Sequence, residues 1–347
     1  MTHSNPRRPI KIIILFLLFI YSPSFAGEQS INYSWGTKPL ETAYWGMAIG
    51  DDVVLLERRK INIGHFLENN FMKDAECSFP GQAEGAKVFL ANIDDDKENE
   101  IIVSAVEDGV PSSFALDYKN KSCTVLFQRI RKSLRVIEYN NDTLLVGQGW
   151  SQSSFFSGPI FTLKYQNGKL LEDKKIEMPW DVDLYQFTFK QGENQSVLLS
   201  KGYAPLELYE KGTKKFKRVW RSGYRFGGSI NLLPASEREA LDEESAQFVT
   251  FDTPPIFISD GNMIALRHDL PVKGVIGQKP VIRSGHFVGF KPDPVLGFVE
   301  TFKGVEVPGA IIDVGSDGKN LLLLILTDAH AFREGTTSQI LSFDVHP

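Results

Sequence analysis

The chain has 347 residues, 43 acidic and 38 basic, for a net charge of −5, and 12% of its residues are aromatic, with 25 Phe. Such a mildly acidic chain lacks the basic excess of a nucleic-acid-binding domain, and its length is ample for a large core in one all-β domain or two ordinary ones. Two cysteines without a CxxC or HExxH spacing exclude a zinc site built from cysteine pairs.

The chain opens with Arg7, Arg8 and Lys11, followed by an unbroken apolar run from Ile12 to Tyr21. Pro23 breaks the run, and Ser24 and Ala26 put small residues where a signal peptidase reads. This is the layout of a secretory signal peptide over residues 1–26, and the run is too short for the roughly 20 residues that span a bilayer. The expectation is an exported chain, periplasmic or extracellular, with no transmembrane segment after cleavage. Residues 27–347 would form a single domain with an insertion at about 222–253.

From there the sequence alternates, or runs apolar over four to seven residues, between Gly, Asn, Asp and Lys turns, which is strand chemistry. The predicted strands fall into groups of four. The first group is GMAI, DVVLLE, KINIGHF and NFMKDAEC, and the second is KVFLANI, EIIVSAV, SFALDY and SCTVLF. Cys77 and Cys123 close these two groups; an oxidising compartment permits a disulfide between them, and two separately buried thiols are the alternative. Between KVFLANI and EIIVSAV lies the acidic stretch NIDDDKENE.

The third group is RVIEY, TLLVGQG, IFTLKY and KLLEDKKI. Its middle connection carries Trp150, Phe155 and Phe156 among Ser and Gly. These are contact residues for a protein or glycan partner if exposed, and packing residues if tucked under. The fourth group is LYQFTF, SVLLSK, PLELYEK and FKRVWRS. The basic run from Lys211 to Arg221 reads as an outer strand guarded by Lys, with contact to an anionic surface as the alternative.

The insertion follows. Pro234 to Gln247 is the one helical candidate, with Ser236 as cap and Glu239 three residues on, and GGSINLL and QFVTF are candidate extra strands. The fifth group is PIFIS, MIALRHD, HFVGFK and VLGFVETF. The last has three strands, GAIIDV, LLLLILT and QILSFDV, and its fourth is expected from INYSWG at residues 31–36.

In each full group the second strand is the most apolar and the fourth the most charged, as for a buried middle strand and a guarded edge. The second strands recur about every 54 residues, an array period. Four-stranded units at that period predict a β-propeller of six blades, or seven if the insertion hides one, closed by the N-terminal strand. A stack of β-sandwiches accounts less well for the fixed order within the groups.

The acidic stretch carries a family resemblance. Asn92, Asp94, Asp96 and Glu100 fall on the four oxygen-bearing positions of the D-x-D-G-D-G-x-x-D/E motif, and Ile101 starts the apolar strand. In this the chain resembles the FG-GAP/VCBS repeat propellers, the integrin-alpha-N-terminal-like type, with divergent repeats. Asp95 and Lys97 stand where that family has glycines. The equivalent turns are worn down to Asp51 and Asp52 in the first group and to Asp313, Asp317 and Gly318 in the last.

The resemblance implies a calcium loop made by Asn92, Asp94, Asp96, the Glu98 carbonyl and Glu100, since calcium takes six to eight oxygens from alternating positions of a tight loop. A solvated acidic turn without metal is the alternative, and no other cofactor is indicated. No nucleophile elbow is present, and His286 and His330 read as structural. The functional expectation is a non-catalytic binding or scaffolding module. The competing expectation is a propeller enzyme, a hydrolase or lyase, with its site in the central channel.

Overall fold

Short runs with a period of two, punctuated by turn residues, can bury both faces only by pairing into sheets and stacking the sheets. A computed structural model of the chain describes residues 29–347 except 95, 140–141, 181, 191–195, 235–247, 259–260, 270–281, 328–335 and 345–347. The expected signal segment at residues 1–26, nearly all of the helical candidate and His330 lie outside the described residues.

Two short strands, β1 (Gln29–Ile31) and β2 (Trp35–Gly36), precede the first blade. Blade 1 is β3 (Gly46–Ile49), β4 (Val53–Leu56), β5 (Lys60–Leu67) and β6 (Asn70–Ser78). Blade 2 is β7 (Glu84–Ala91), β8 (Glu100–Glu107), the short β9 (Val110–Pro111), β10 (Ser113–Lys119) and β11 (Ser122–Ile130). Blade 3 is β12 (Ser133–Tyr139), β13 (Asp142–Ser151), β14 (Ser154–Gln166) and β15 (Lys169–Lys175). Blade 4 is β16 (Phe187–Phe189), β17 (Ser196–Leu199), β18 (Ala204–Lys211) and β19 (Phe216–Phe226).

A hairpin of β20 (Leu232–Pro234) and β21 (Phe248–Thr250) follows. Blade 5 is β22 (Ile256–Phe257), β23 (Met263–Asp269), β24 (Ser284–Asp293) and β25 (Gly297–Gly304), with β26 (Val307–Pro308) beside β24. Blade 6 is β27 (Ala310–Ser316), β28 (Asn320–Leu326) and β29 (Ser338–Asp344).

Consecutive strands within each blade pair antiparallel, so the first-to-second and third-to-fourth turns emerge on one face of the ring. The second-to-third turns and the blade-to-blade connections emerge on the other. Several third-to-fourth turns are two-residue hairpins with positive φ at both positions: Glu68-Asn69, Asn120-Lys121 and Asn167-Gly168. That geometry matches the strand twist and favours Asn and Gly.

The core is divided among the interfaces between blades. Leu321, Leu323 and Ile325 on β28 pack toward blade 5 beside Phe287, while Leu322, Leu324 and Leu326 pack toward blade 1 beside Leu55. Likewise Ile101 and Val103 on β8 face blade 1, and Ile102 faces blade 3. A strand buried on both faces has no polar side, which is why the second strands read as continuous apolar runs. Each fully buried Leu or Ile contributes about 1.5–3 kcal/mol, so these doubly covered strands anchor the ring.

Closure comes from the N-terminus. β2 pairs antiparallel with β29, Trp35 opposite Ser342, and supplies the fourth strand of blade 6. β1 adds in parallel to the outer edge of blade 5, Gln29 opposite Phe302. The expected strand at residues 31–36 thus straddles two blades. Among the described residues the insertion makes no seventh blade: β20 and β21 form a two-stranded sheet of their own.

Candidate functional site

The acidic loop is the first-to-second turn of blade 2. Its backbone is wound by its own side chains: the Asp96 amide donates to Asp94 Oδ1 at 3.2 Å, and the Glu98 amide donates to Asp96 Oδ1 at 2.7 Å. Glu100, the first residue of β8, is fully buried; its Oε2 accepts from the Ile93 amide at 2.7 Å. Its Oε1 has no partner among the described residues. Burial, and then the charges of Asp94 and Asp96, push the Glu100 carboxyl up.

One carboxylate oxygen from each of Asp94, Asp96 and Glu100 lies within 4.8 Å of the others. An orphaned buried oxygen facing two more carboxylates is a donor set that fits a hard cation such as calcium. Of the other two expected ligands, Asn92 uses its side-chain nitrogen to donate to the Asp96 carbonyl. The Glu98 carboxylate, which is not the ligand atom expected there, turns toward Lys119 at 3.7 Å. Lys119, at the end of β10, also contacts Asp96 at 2.7 Å and Asp117 at 3.0 Å. Its ammonium holds the Asp96 carboxyl below the usual carboxylate range and competes with any cation for it.

The central channel, where the competing expectation put an enzyme site, holds a second polar cluster whose residues sequence reasoning did not name. Lys87 on β7 is buried; its Nζ donates to Thr253 Oγ1 at 2.6 Å, to the Ile312 carbonyl at 3.3 Å and to Asp313 Oδ1 at 3.4 Å. The opposite oxygen of Asp313 accepts from the Met47 amide at 3.1 Å. The inner strands of blades 1, 2 and 6 are thereby joined. Arg135 on β12 donates to the carbonyls of Leu184 at 2.9 Å and Phe187 at 2.6 Å, tying blade 3 to blade 4. Asp252, just after β21, accepts from the Gly202 amide at 3.3 Å through one oxygen, and the other has no partner among the described residues. Burial raises its carboxyl to about 6.

The insertion hairpin is fastened across the ring. Asn231 is fully buried; its amide donates to the carbonyls of Trp45 at 3.1 Å and Ala86 at 2.6 Å, and its oxygen accepts from Arg58 at 3.0 Å. Arg58 stacks over Trp45 at 3.8 Å. The aromatic loop of blade 3 meets the same hairpin. The rings of Phe155 and Phe156 stand edge-on to each other and to Phe251, each 5.9 Å from it. Both are half-buried, whereas Trp150 is 37% exposed. Of the three proposed contact aromatics, two are packing residues and Trp150 alone faces outward.

Cys77 on β6 and Cys123 on β11 are bonded to each other with Cα atoms 6.0 Å apart, joining the outer strands of blades 1 and 2. His268 is buried and satisfied, with Nδ1 3.1 Å from the Gly227 carbonyl and Nε2 accepting from the Ile311 amide at 3.0 Å. His286 is buried with neither ring nitrogen bonded among the described residues, and burial, then the charges of Lys303 and Arg267, lower it to about 4. A faint signal for the channel residues existed in the sequence. Lys87, Arg135 and Asp313 are charges inside predicted first strands, where apolar residues belong.

No family model matches the chain, and no curated protein does. Solved structures of similar shape include a calcium-binding protein, regucalcin, from Agrobacterium tumefaciens, at 12% identity and a TM-score of 0.49, covering 92% of this chain and 97% of that one. A chain of a mitotic checkpoint complex is similar at 9% identity and a TM-score of 0.49, covering 93% and 98%. The β-propeller domain of Cps50 (Swd1) from Myceliophteria thermophila is similar at 7% identity and a TM-score of 0.45, covering 89% and 85%. The assignment as a six-bladed propeller rests on the strand pairing and the inter-blade packing of this chain itself.

Proposed function

We propose that the protein is an exported, non-catalytic β-propeller of the FG-GAP/VCBS-like type that acts as a binding or scaffolding module. The observation that carries this reading is the state of the central channel. Lys87, Arg135, Asn231 and Asp313 are bonded to backbone and side chains of neighbouring blades, which is the chemistry of a structural plug. Trp150 faces outward and is the proposed contact for a protein or glycan partner. Calcium at Asp94, Asp96 and Glu100 would stiffen the turn between the first two strands of blade 2 rather than take part in a reaction.

Export is supported by the segment at residues 1–26 and by the Cys77–Cys123 bond, which oxidising compartments sustain. The second reading is a propeller enzyme, and one observation favours it: Asp252, a buried carboxyl with a raised pKa and a free oxygen, lies within the field of the buried Lys87. The two are separated by placing a photo-crosslinking amino acid at position 150 and irradiating the native envelope fraction. The binding module predicts a discrete adduct that persists in Asp252→Asn. A hydrolase or lyase activity abolished by Asp252→Asn would overturn the reading.

A further inference from the structure

Asn62 on β5 is a polar side chain between two buried isoleucines, Ile61 and Ile63, and is itself only 2% exposed. Its side-chain nitrogen donates to Glu57 Oε1 at 2.7 Å and to the Tyr44 hydroxyl at 3.1 Å. The carboxylate fixes the amide's orientation, because a flipped amide would set its oxygen against Glu57. That leaves Asn62 Oδ1 buried with no partner among the described residues. The Tyr44 hydroxyl accepts from Asn62, and its own proton has no acceptor among the described residues. Burial, then the charge of Glu57, pushes Tyr44 up to about 12, so it keeps that proton at any working pH. A buried acceptor and a neighbouring donor are both left short, which is costly unless a further group meets them.

Both side chains line a cleft of about 620 Å³ between blades 6 and 1. Its walls are the connection at residues 37–44 on one side and β5 with β6 on the other. That volume lies within the range of about 300–1,000 Å³ typical of ligand sites. The lining extends along β5 from Lys60 to the level of Phe71, which stands opposite Phe66. The distance is roughly 20 Å at the rise of a strand, which suits a linear oligomer. The Phe71 ring is half-buried and held edge-on to Phe66 at 6.4 Å, and Phe66 is held in turn by Trp35 at 5.3 Å. A ring fixed beforehand loses little entropy when a ligand settles on it.

The cleft selects its occupant in three ways. Its charges cancel: Lys60 lies 3.5 Å from Glu57 and 3.0 Å from Glu76, Lys73 lies 3.0 Å from Glu76, and the exposed Lys38 and Glu41 are of opposite sign. Neither an anion nor a cation gains from such a field. Its walls offer no backbone edge to a peptide. β5 is paired on both sides, and the Thr37 and Leu40 amides already donate to the Ile340 and Ser338 carbonyls. Its orphaned groups call for one atom that donates to Asn62 Oδ1 and accepts from Tyr44. A hydroxyl does both, whereas an ammonium only donates and a carboxylate only accepts.

We propose that this cleft binds a neutral oligosaccharide, with one sugar hydroxyl bridging Tyr44 and Asn62 and a pyranose face against Phe71. The proposal rests on the reading of the chain as a binding module and adds a ligand class and a second contact site to it. A single water would meet the same two polar groups but would leave the face of Phe71 unused, and the experiment separates the two.

The test is titration of the full chain with maltohexaose, cellohexaose and chitohexaose, followed by the NMR signal of the Asn62 side-chain amide. Hexagalacturonate and tri-lysine are the charged comparators, and melting curves check the fold of every variant. The expected result is saturable binding of a neutral hexamer that shifts the Asn62 amide, is insensitive to added salt and is not displaced by either comparator. Phe71→Ala should weaken it about tenfold and Tyr44→Phe several-fold.

Absence of binding by all three hexamers at millimolar concentration would overturn the proposal and leave the two polar groups to water. So would binding that leaves the Asn62 amide unmoved or survives both substitutions, since the sugar would then sit elsewhere. Tighter binding of a charged comparator at the same amide would also overturn it. Crosslinking from position 150 reports separately on the other contact surface. If no hexamer binds while position 150 still yields an adduct, only this proposal falls; if a hexamer binds here and position 150 captures nothing, the site at Trp150 falls instead.

Discussion

Glu100 and Asp252 are the two buried carboxyls on which residue-scale predictions turn. Calcium must displace the proton that burial favours on Glu100, so its affinity should rise as pH increases through that raised pKa. Lys119→Met, which removes the competing ammonium from Asp96, should tighten calcium further. Melting at millimolar calcium against chelator reads both, with about 2.7 kcal/mol expected at 100 times Kd; an unchanged melting temperature in both proteins would leave the loop a metal-free turn. Asp252 has an opposite partner in pH dependence. Its carboxyl is raised from 3.8 to about 6, so the folded state binds the extra proton and stability falls as pH rises through that window. His286 is lowered from 6.5 to about 4, so the unfolded state binds the extra proton and stability rises across nearly the same window. The contributions of Asp252 and His286 to urea unfolding therefore oppose each other between about pH 4 and 6. Asp252→Asn should restore a clear rise with pH and add roughly 2–3 kcal/mol at neutral pH; a loss at pH 7 would mean that its charge is needed by Lys87. The acidic loop was legible because its ligands are close in sequence. Lys119 was not, since it lies 23 positions from Asp96 and meets it only through the pairing of β8 with β10.

Strands were the most legible elements, because period-two alternation and doubly buried runs are local consequences of where each side points. LLLLILT needed no partner to be recognised as a middle strand. The parallel pairing of β1 was not legible. Three residues on the edge of a blade 273 positions away carry no local signature of their own. The extra strands of the insertion were visible, but the bonds of Asn231 to Arg58 and Ala86, which fasten them to blades 1 and 2, join residues more than 140 positions apart and leave no local signature. The disulfide acts at this scale, since it staples β6 to β11 across 46 residues of chain. The loop-entropy relation gives about 4 kcal/mol for a closure of that length. C77A/C123A should lose about 2–4 kcal/mol in denaturant unfolding, and the same loss should follow reduction of the wild type; no change on either would mean that blades 1 and 2 hold together without it.

At the scale of the whole molecule, stability and closure depend on two devices remote in sequence. One is the N-terminal strap: deletion of residues 29–36 leaves the β29 edge and the outer edge of blade 5 unpaired. The shortened chain should melt lower and self-associate through its bare edge, visible by size-exclusion chromatography. The other is the channel plug. Lys87→Met leaves Asp313 buried without its ammonium and should cost about 3–5 kcal/mol. That a charged channel can be structural is the central claim, and crosslinking from position 150 in envelope fractions of wild type and Asp252→Asn tests it most directly. The same discrete adduct in the same yield from both proteins is the predicted result. Loss of the adduct together with loss of a measurable hydrolytic or lyase activity in Asp252→Asn would contradict it and make the channel an active site.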